Sequence, residues 1–206
     1  VSAKSEKRIV YHSFLTMNGL RLDVSIGRER YDAMEETYRN EGLSVGVDHM
    51  RLYGENIQLE VAFTDLILGN RIGQGACSSV NVARHKRTGE VYAIKMFNIY
   101  DKGQASQLYN EILLLTSFQC DCLISLKGAF HDEGSIGVIL EYMDKGSLEF
   151  LMDEKIEISE RVMAGISFQI LWGLGYLHYE KQIHRDVKAG NILMNSLGQV
   201  KLSDFG

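Results

Sequence analysis

The segment His184-Arg-Asp-Val-Lys-Ala-Gly-Asn191 decides how this sequence is interpreted, together with Asp204-Phe-Gly206 shortly after it. Asp186 and Asn191 stand five positions apart, and Asp204 follows Asp186 after eighteen positions. This order and spacing match the catalytic signature H-R-D-x-x-x-x-N followed by D-F-G. Each acid taken alone would most simply be a surface residue, but the joint pattern predicts a catalytic loop.

A glycine-containing loop lies further upstream, at Gly73-Gln-Gly-Ala-Cys-Ser-Ser-Val80, between two stretches with the apolar character of strands. A glycine loop of the Rossmann type would be followed by a helix, so the context argues against dinucleotide binding. Glycines let backbone N–H groups approach phosphate oxygens because no Cβ stands in the way. The loop is therefore either a phosphate-covering loop, stiffened by Ser78 in place of a third glycine, or a simple hairpin turn.

A lysine ends the apolar run Tyr92-Ala-Ile-Lys95, and Glu111 follows it within the apolar face of a predicted helix, close to Ile112 and Leu115. A partly buried glutamate needs a cationic partner. The two side chains therefore predict an ion pair that holds the Lys95 ammonium at the α- and β-phosphates of a nucleotide. The alternative is a solvated lysine on a strand edge.

These motifs occur in the order found in eukaryotic protein kinases, and the sequence resembles that family. The resemblance implies that Asp186 orients the substrate hydroxyl and accepts its proton. It also implies that Asn191 and Asp204 hold Mg²⁺ and that Lys188 faces the γ-phosphate, as in serine/threonine and dual-specificity kinases. The implied cofactors are ATP and Mg²⁺, and Lys95 with Glu111 completes the catalytic set.

Longer strings resemble the MAP kinase kinases. Residues 126–148 read LKGAFHDEGSIGVILEYMDKGSL and residues 173–181 read GLGYLHYEK. By this resemblance Leu140 is the gatekeeper of the nucleotide pocket, and Glu141 and Met143 offer backbone groups to adenine. The apolar residues that would sandwich the adenine ring are Ile72, Val80 and Ala93, although these three side chains would also suit a plain core. The predicted nucleotide-binding set is Ile72, Gly73, Gln74, Gly75, Ala76, Cys77, Ser78, Ser79, Val80, Ala93, Lys95, Leu140, Glu141 and Met143.

One departure from that family lies at Ala189-Gly190, where MAP kinase kinases usually carry a proline after the lysine. The Ala-Gly pair resembles kinases of the sterile-20 type, so a serine/threonine kinase of that type is the first alternative. A nucleotide-binding module without catalytic activity is the second alternative. For a MAP kinase kinase, the implied partners are a MAP kinase as substrate and an upstream kinase as activator.

The sequence contains no proline and ends at Gly206, where the activation segment of a kinase would begin. We therefore expect a longer protein, of which residues 1–206 alone would be a poor phosphotransferase, because positioning of the substrate contributes much of the rate.

The expected fold class is α+β, a two-lobe protein-kinase-like fold. Its N-lobe, residues 63–143, would hold a five-stranded antiparallel sheet and one helix, and residues 144–206 would begin an incomplete helical C-lobe. A second helix is expected after the N-cap residue Ser159. Its predicted apolar stripe is Val162, Ile166, Ile170, Leu171, Leu174 and Leu177.

Residues 1–62 form a segment apart, of unknown role. Asn18-Gly19 predicts a tight turn between strands over residues 12–17 and 20–26. A marginal helix is predicted over residues 28–40, and the alternation of apolar residues from Ile57 to Phe63 indicates a strand.

The composition is typical of a folded domain, with 24% charged and 45% hydrophobic residues and a net charge of −5. The acidic balance argues against nucleic acid as the main partner. No apolar run reaches the roughly 18 residues of a membrane span, so no membrane insertion is expected. The three cysteines lack a zinc-binding spacing and are expected to be reduced thiols, which favours the cytoplasm, with the nucleus as the alternative compartment.

Overall fold

A β-hairpin opens the part of the chain that our computed structural model describes, namely residues 12–17, 20–25, 30–32, 37–39, 42–47, 49–74, 78–98, 102–132 and 134–204. Strands β1 (His12–Met17) and β2 (Leu20–Ser25) are antiparallel, with Met17 opposite Leu20. The connection therefore has two residues, as predicted. The turn itself and Ile26 lie outside the described residues.

Five short strands follow and pair in chain order as an antiparallel sheet, here called the N-terminal meander (residues 30–57). The helix predicted over residues 28–40 is wrong at residues 30–32 and 37–39, which are strands, and the rest of that range lies outside the described residues. Tyr31 and Tyr38 are register partners in β3 and β4, and tyrosine is a residue type that favours strands. The strand predicted from Ile57 to Phe63 is also wrong beyond Ile57, because residues 63–65 form a 3₁₀ turn. The strands are β3 (Arg30–Asp32), β4 (Thr37–Arg39), β5 (Leu43–Val45), β6 (Met50–Leu52) and β7 (Glu55–Ile57).

The predicted five-stranded antiparallel sheet forms the centre of the fold, in the order β11-β12-β10-β9-β8. One of its strands, at residues 126–132, was not located from the sequence, because lysine, glycine and histidine interrupt its apolar pattern. The strands are β8 (Leu66–Gln74), β9 (Ser78–His85), β10 (Val91–Asn98), β11 (Leu126–Asp132) and β12 (Ser135–Glu141).

Helix α1 (Lys102–Ser117) connects β10 to β11. Its inner face buries Leu108, Ile112 and Leu115, at the helical spacing that predicted it.

The second lobe begins with β13 (Gly146–Ser147), α2 (Leu148–Asp153) and α3 (Glu160–Tyr179). Strands β14 (Ile192–Met194) and β15 (Val200–Leu202) complete a three-stranded sheet with β13. Ser159 caps α3 as predicted, because its side chain accepts a hydrogen bond from the Val162 N–H.

The apolar stripe predicted for α3 is only partly buried. Ile166 and Leu177 are buried, but Val162 and Leu171 are 54% and 67% exposed, and that part of the prediction is wrong. The contact face instead passes through Gly173, where an added Cβ would lie 3.1 Å from Leu202 Cδ1. Leu171 therefore points away from the strands that α3 covers. Among the described helices, none combines the length and hydropathy needed to cross a bilayer.

The N-terminal meander is packed on the first lobe. Leu43, Val45 and Met50 are buried in the same hydrophobic cluster as Leu108 and Ile112 of α1. In addition, the backbone N–H of His131 on β11 donates to the Gly46 carbonyl at 2.9 Å. The segment that the sequence sets apart thus shares a core with the central sheet.

Candidate active site

A cleft of about 720 Å³ lies between the central sheet and the second lobe. Its apolar walls would suit a flat aromatic ring, because strands β8, β9 and β10 contribute one side and β14 contributes the other. Ala93 and Leu140 lie opposite each other in the pairing of β10 with β12, which brings the predicted gatekeeper to the wall of the cleft. The predicted nucleotide-binding residues that line the cleft are Ile72, Gly73, Ser78, Val80, Ala93, Lys95, Leu140, Glu141 and Met143.

Two predicted residues are not on this lining. Gln74 and Ser79 face each other across β8 and β9, and successive side chains of a strand point to opposite faces of the sheet. Because Gly73, Ser78 and Val80 face the cleft, their neighbours face away. The side chain of Gln74 instead accepts a hydrogen bond from Arg71 at 2.7 Å. The predictions for residues 75–77 (Gly75, Ala76 and Cys77) lie outside the described residues.

Sequence reasoning missed several residues of the cleft, including Leu193, Ile124 and Phe150. Leu193 could have been found, because it lies in a short apolar strand directly after Asn191. Its neighbours in that strand are buried on the other face, so alternation directs Leu193 to the cleft. Ile124 and Phe150 carry no comparable signal, because they reach the cleft only through tertiary packing.

The ammonium of Lys95 forms the polar centre of the cleft. Its Nζ lies 3.0 and 2.9 Å from the two carboxylate oxygens of Glu111, so the predicted ion pair is present. Asp204 Oδ1 lies 2.7 Å from the same nitrogen, a contact that the sequence did not predict. Burial by itself would lower the pKa of Lys95, but the two carboxylates outweigh it and hold the pKa above its usual value. Lys95 therefore remains a cation although its side chain is only 6% exposed.

A second cluster surrounds Asp186. Lys188 Nζ lies 2.6 Å from Asp186 Oδ2, and the Asn191 amide donates to the carbonyl and to Oδ2 of Asp186, both at 2.9 Å. The hydrogen bond from Lys188 is the largest influence that lowers the pKa of Asp186. Asp186 is therefore held in place as an ionised carboxylate, with its side chain about half exposed.

The loop that carries Asp186 is anchored by His184, which is 2% exposed. The backbone N–H of Asp186 donates to His184 Nδ1 at 3.4 Å, so this nitrogen acts as an acceptor. Burial lowers the pKa of His184, which favours the neutral ring that this hydrogen bond requires. The loop also includes Arg185 in the left-handed region, at φ +67°.

A backbone hydrogen bond brings together the segments that carry the two candidate metal ligands, Asn191 and Asp204. Ser203, next to Asp204 in the chain, donates its N–H to the Asn191 carbonyl at 3.0 Å. Asn191 uses its amide nitrogen on Asp186, which leaves its amide oxygen to bind a cation. One carboxylate and one amide oxygen suit Mg²⁺, which takes few protein ligands and completes its shell with water and phosphate oxygens. Within the described residues, no cluster of three or more His, Cys, Asp and Glu side chains could hold a metal ion.

Glu141, at the connection between the lobes, is held by groups from both sides. Its Oε1 lies 2.7 Å from Lys201 Nζ and accepts the Ser125 N–H at 2.8 Å. Its backbone N–H donates to the Ser125 carbonyl at 3.2 Å, so this N–H is already engaged within the protein. The contact with Lys201 was not predicted from the sequence.

Comparison with known families agrees with this geometry. The profile of the protein kinase domain matches residues 66–206, which is more than half of the chain. The chain belongs to the protein kinase family. Lys95, Asp186 and Asp204 all lie within the part that the kinase domain profile matches.

Individual relatives of this kinase domain are MAP kinase kinases and a serine/threonine kinase. Mitogen-activated protein kinase kinase 2 of Arabidopsis thaliana is 32% identical over 92% of the chain and 56% of its own length. Dual specificity mitogen-activated protein kinase kinase 1 of Dictyostelium discoideum is 33% identical over 88% of the chain and 28% of its own length. Serine/threonine-protein kinase dst4 of the same organism is 37% identical over 66% of the chain and 28% of its own length. The chain thus spans about half or less of the length of these relatives.

Proposed function

We propose that this protein transfers the γ-phosphoryl group of ATP to serine or threonine, and also tyrosine, hydroxyls of a MAP kinase. The observation that carries the proposal is the position of the Lys95 ammonium, which is held by Glu111 and Asp204 at the polar end of an apolar cleft. A buried cation fixed beside a flat apolar pocket is suited to a nucleotide, whose base is aromatic and whose phosphates are anionic.

The residues of the chain divide the work of this reaction. Lys95 would bind the phosphates, and Glu111 keeps its ammonium in place. Asn191 and Asp204 would hold Mg²⁺, which when bound offsets negative charge on the phosphate oxygens. Asp186 would accept a hydrogen bond from the attacking hydroxyl and take its proton, and Lys188 lies beside it to stabilise charge on the transferred group.

The substrate class rests on the relatives and on the strings that resemble MAP kinase kinases. Several relatives carry the name mitogen-activated protein kinase kinase, and one carries the words dual specificity. We propose a MAP kinase as the substrate and an upstream kinase as the activator on that ground.

A serine/threonine kinase of the sterile-20 type is the second candidate. It is favoured by Ala189-Gly190, which follows Lys188 in a 3₁₀ turn. An added Cβ at Gly190 would lie 2.9 Å from Glu149 Oε2, the outer end of an exposed side chain that can move aside, so this candidate rests on the sequence pair itself. A relative named serine/threonine-protein kinase, dst4, is compatible with this candidate.

The experiment is phosphoryl transfer by the full-length protein to a catalytically inactive MAP kinase, followed by phosphoamino-acid analysis of the product. Phosphothreonine together with phosphotyrosine supports a MAP kinase kinase. Phosphoserine or phosphothreonine alone, on a general basic protein substrate, supports the second candidate. The matched control is Asp186→Asn, which keeps the size of the side chain and should reduce transfer to background; wild-type protein that is no more active than this variant would contradict both candidates.

A further inference from the structure

The hairpin tip between β6 and β7 is shaped to carry one particular side chain. Leu52 pairs with Glu55, so Tyr53 and Gly54 alone make the turn, with φ values of +52° and +84°. Such a turn favours Asn or Gly at its first position. A tyrosine there is unusual, because the left-handed conformation is costly for a bulky residue. The contacts of the Tyr53 side chain, which is 47% exposed, are therefore the ones that can offset this strain.

Tyr53 contacts helix α1. Its hydroxyl oxygen lies 2.8 Å from that of Tyr109, and the two share a hydrogen bond. Gly42 packs beneath them, since an added Cβ would lie 2.8 Å from the Tyr109 hydroxyl and 3.0 Å from the Tyr53 ring. The Tyr53 N–H donates to the Gly42 carbonyl at 2.6 Å. The three residues thus interlock at the outer end of the N-terminal meander.

Tyr109 stands two positions before Glu111 on the same helix. A helix moves largely as a rigid body, so a displacement of Tyr109 also displaces the Glu111 carboxylate. The buried residues Leu108 and Ile112 belong to the same cluster as Leu43 of the meander, so the meander covers this stretch of α1 with apolar contacts as well. The meander therefore packs on the same stretch of α1 that carries Glu111 to Lys95.

We propose that Tyr53 and Tyr109 are positioning residues, which hold α1 where Glu111 reaches Lys95. The inference rests on the proposed phosphoryl transfer, because it assigns these residues to that reaction. In this proposal the N-terminal meander contributes to the nucleotide site, although none of its described residues lines the cleft. It acts through the position of one helix.

The test compares Tyr53→Phe, which removes only the hydroxyl, with Tyr53→Asn, which removes the ring but suits the left-handed turn. Tyr179→Phe is the control, because Tyr179 is exposed on α3 in the other lobe. Hydrogen exchange of residues 107–117 and phosphoryl-transfer rates are measured on the full-length protein. We expect faster exchange in α1 and a rate loss of about three- to tenfold in both Tyr53 variants, the range of one hydrogen bond. The control should change neither quantity.

A double substitution separates positioning from general loss of structure. In a Glu111→Gln background, Tyr53→Phe should cause no further loss of rate, because its effect passes through Glu111. The same loss in both backgrounds, or unchanged exchange in α1, would overturn the proposal. Should Tyr53→Asn unfold, Tyr53→Phe decides alone. Wild-type protein without transfer activity would instead count against the proposed function, while the exchange data would still show whether Tyr53 holds α1.

Discussion

Lys95 shows how one residue joins the stability of the fold to its chemistry. Its pairing with Glu111 could be predicted, because an acid on an apolar helix face and a lysine at the end of an apolar strand each lack a partner locally. Its contact with Asp204 could not be predicted, because the two residues are 109 positions apart and only the folded chain brings them together. Residues defined by a motif were thus found, whereas their mutual contacts required the structure.

The first prediction concerns Lys95→Met. The rate of phosphoryl transfer should fall about 10²–10³-fold, since a fixed charge at the phosphates is lost. The free energy of unfolding should also fall, by up to about 3–5 kcal/mol, because Glu111 is left buried without a cation. Lys201→Met is the matched control, because Lys201 is also buried in a pair with a glutamate. It should lower stability while changing the rate only a few-fold, as measured by urea unfolding and transfer assays.

The second prediction concerns Asp204→Asn. Calorimetry should show a larger loss of affinity for ATP with Mg²⁺ than for ATP alone, because a hard cation loses a charged oxygen ligand. Asp144→Asn serves as the control, since Asp144 also lines the cleft but has no part in the proposed metal site. An equal loss of affinity with and without Mg²⁺ would show that Asp204 is not the ligand.

At the scale of elements, sequence patterns predicted the two long helices and the first hairpin. They failed where the choice between helix and strand depends on which segments pair in the fold. Residues 28–40 contain enough polar residues to suggest a surface helix. In the structure, Tyr31 pairs with Tyr38 in the register of β3 and β4, and β4 pairs onward with β5. Whether this segment forms a helix or strands depends on the surface that it packs against. That surface is helix α1, about 70 residues later in the chain, whose Leu108 shares a hydrophobic cluster with Tyr38. Local propensity is easily overridden in such cases.

The third prediction concerns the loop that His184 anchors. Because burial lowers the pKa of folded His184 below its usual 6.5, the unfolded state binds the proton more strongly in this range. Stability should therefore be full above pH 6.5 and decline as the pH falls towards the folded value. Urea unfolding between pH 7.5 and 5.5 should show this decline, and it should be smaller in His184→Gln. Equal pH dependence in the two proteins would contradict the assignment.

At the scale of the whole molecule, helix α3 is buried on one face and strongly apolar on the other. Phe168, Leu171 and Trp172 are 65%, 67% and 62% exposed, and Phe168 stacks near Trp172 with ring centroids 6.1 Å apart. The periodicity of the sequence predicted one apolar stripe for α3 but placed Val162 and Leu171 on the buried face, where the structure has them exposed. Periodicity alone could not tell which apolar positions contact β15. In residues 1–206 taken alone, an exposed apolar patch of this kind favours association between molecules.

The fourth prediction follows from that patch. Replacing Phe168, Leu171 and Trp172 together by Gln should keep residues 1–206 monomeric at higher concentration, as measured by light scattering. The free energy of unfolding should change little, by about 0.5 kcal/mol or less per site. Leu177→Gln, on the buried face of the same helix, is the control and should destabilise the chain strongly. A triple variant as unstable as this control would contradict the prediction.

The contact between the meander and β11 also has a consequence for synthesis on the ribosome. Gly46 meets His131, so the meander leaves the ribosome 85 residues before its partner strand. At about 5–20 residues per second this delay is roughly 4–17 s. Helix α1 (Lys102–Ser117) emerges before β11, so the apolar side of β5 and β6 is uncovered for the first part of this delay, while the Gly46 carbonyl lacks its partner throughout. Exposed strands in nascent chains are prone to aggregate. Binding of a chaperone to the nascent chain should therefore begin with the meander and end once β11 has emerged.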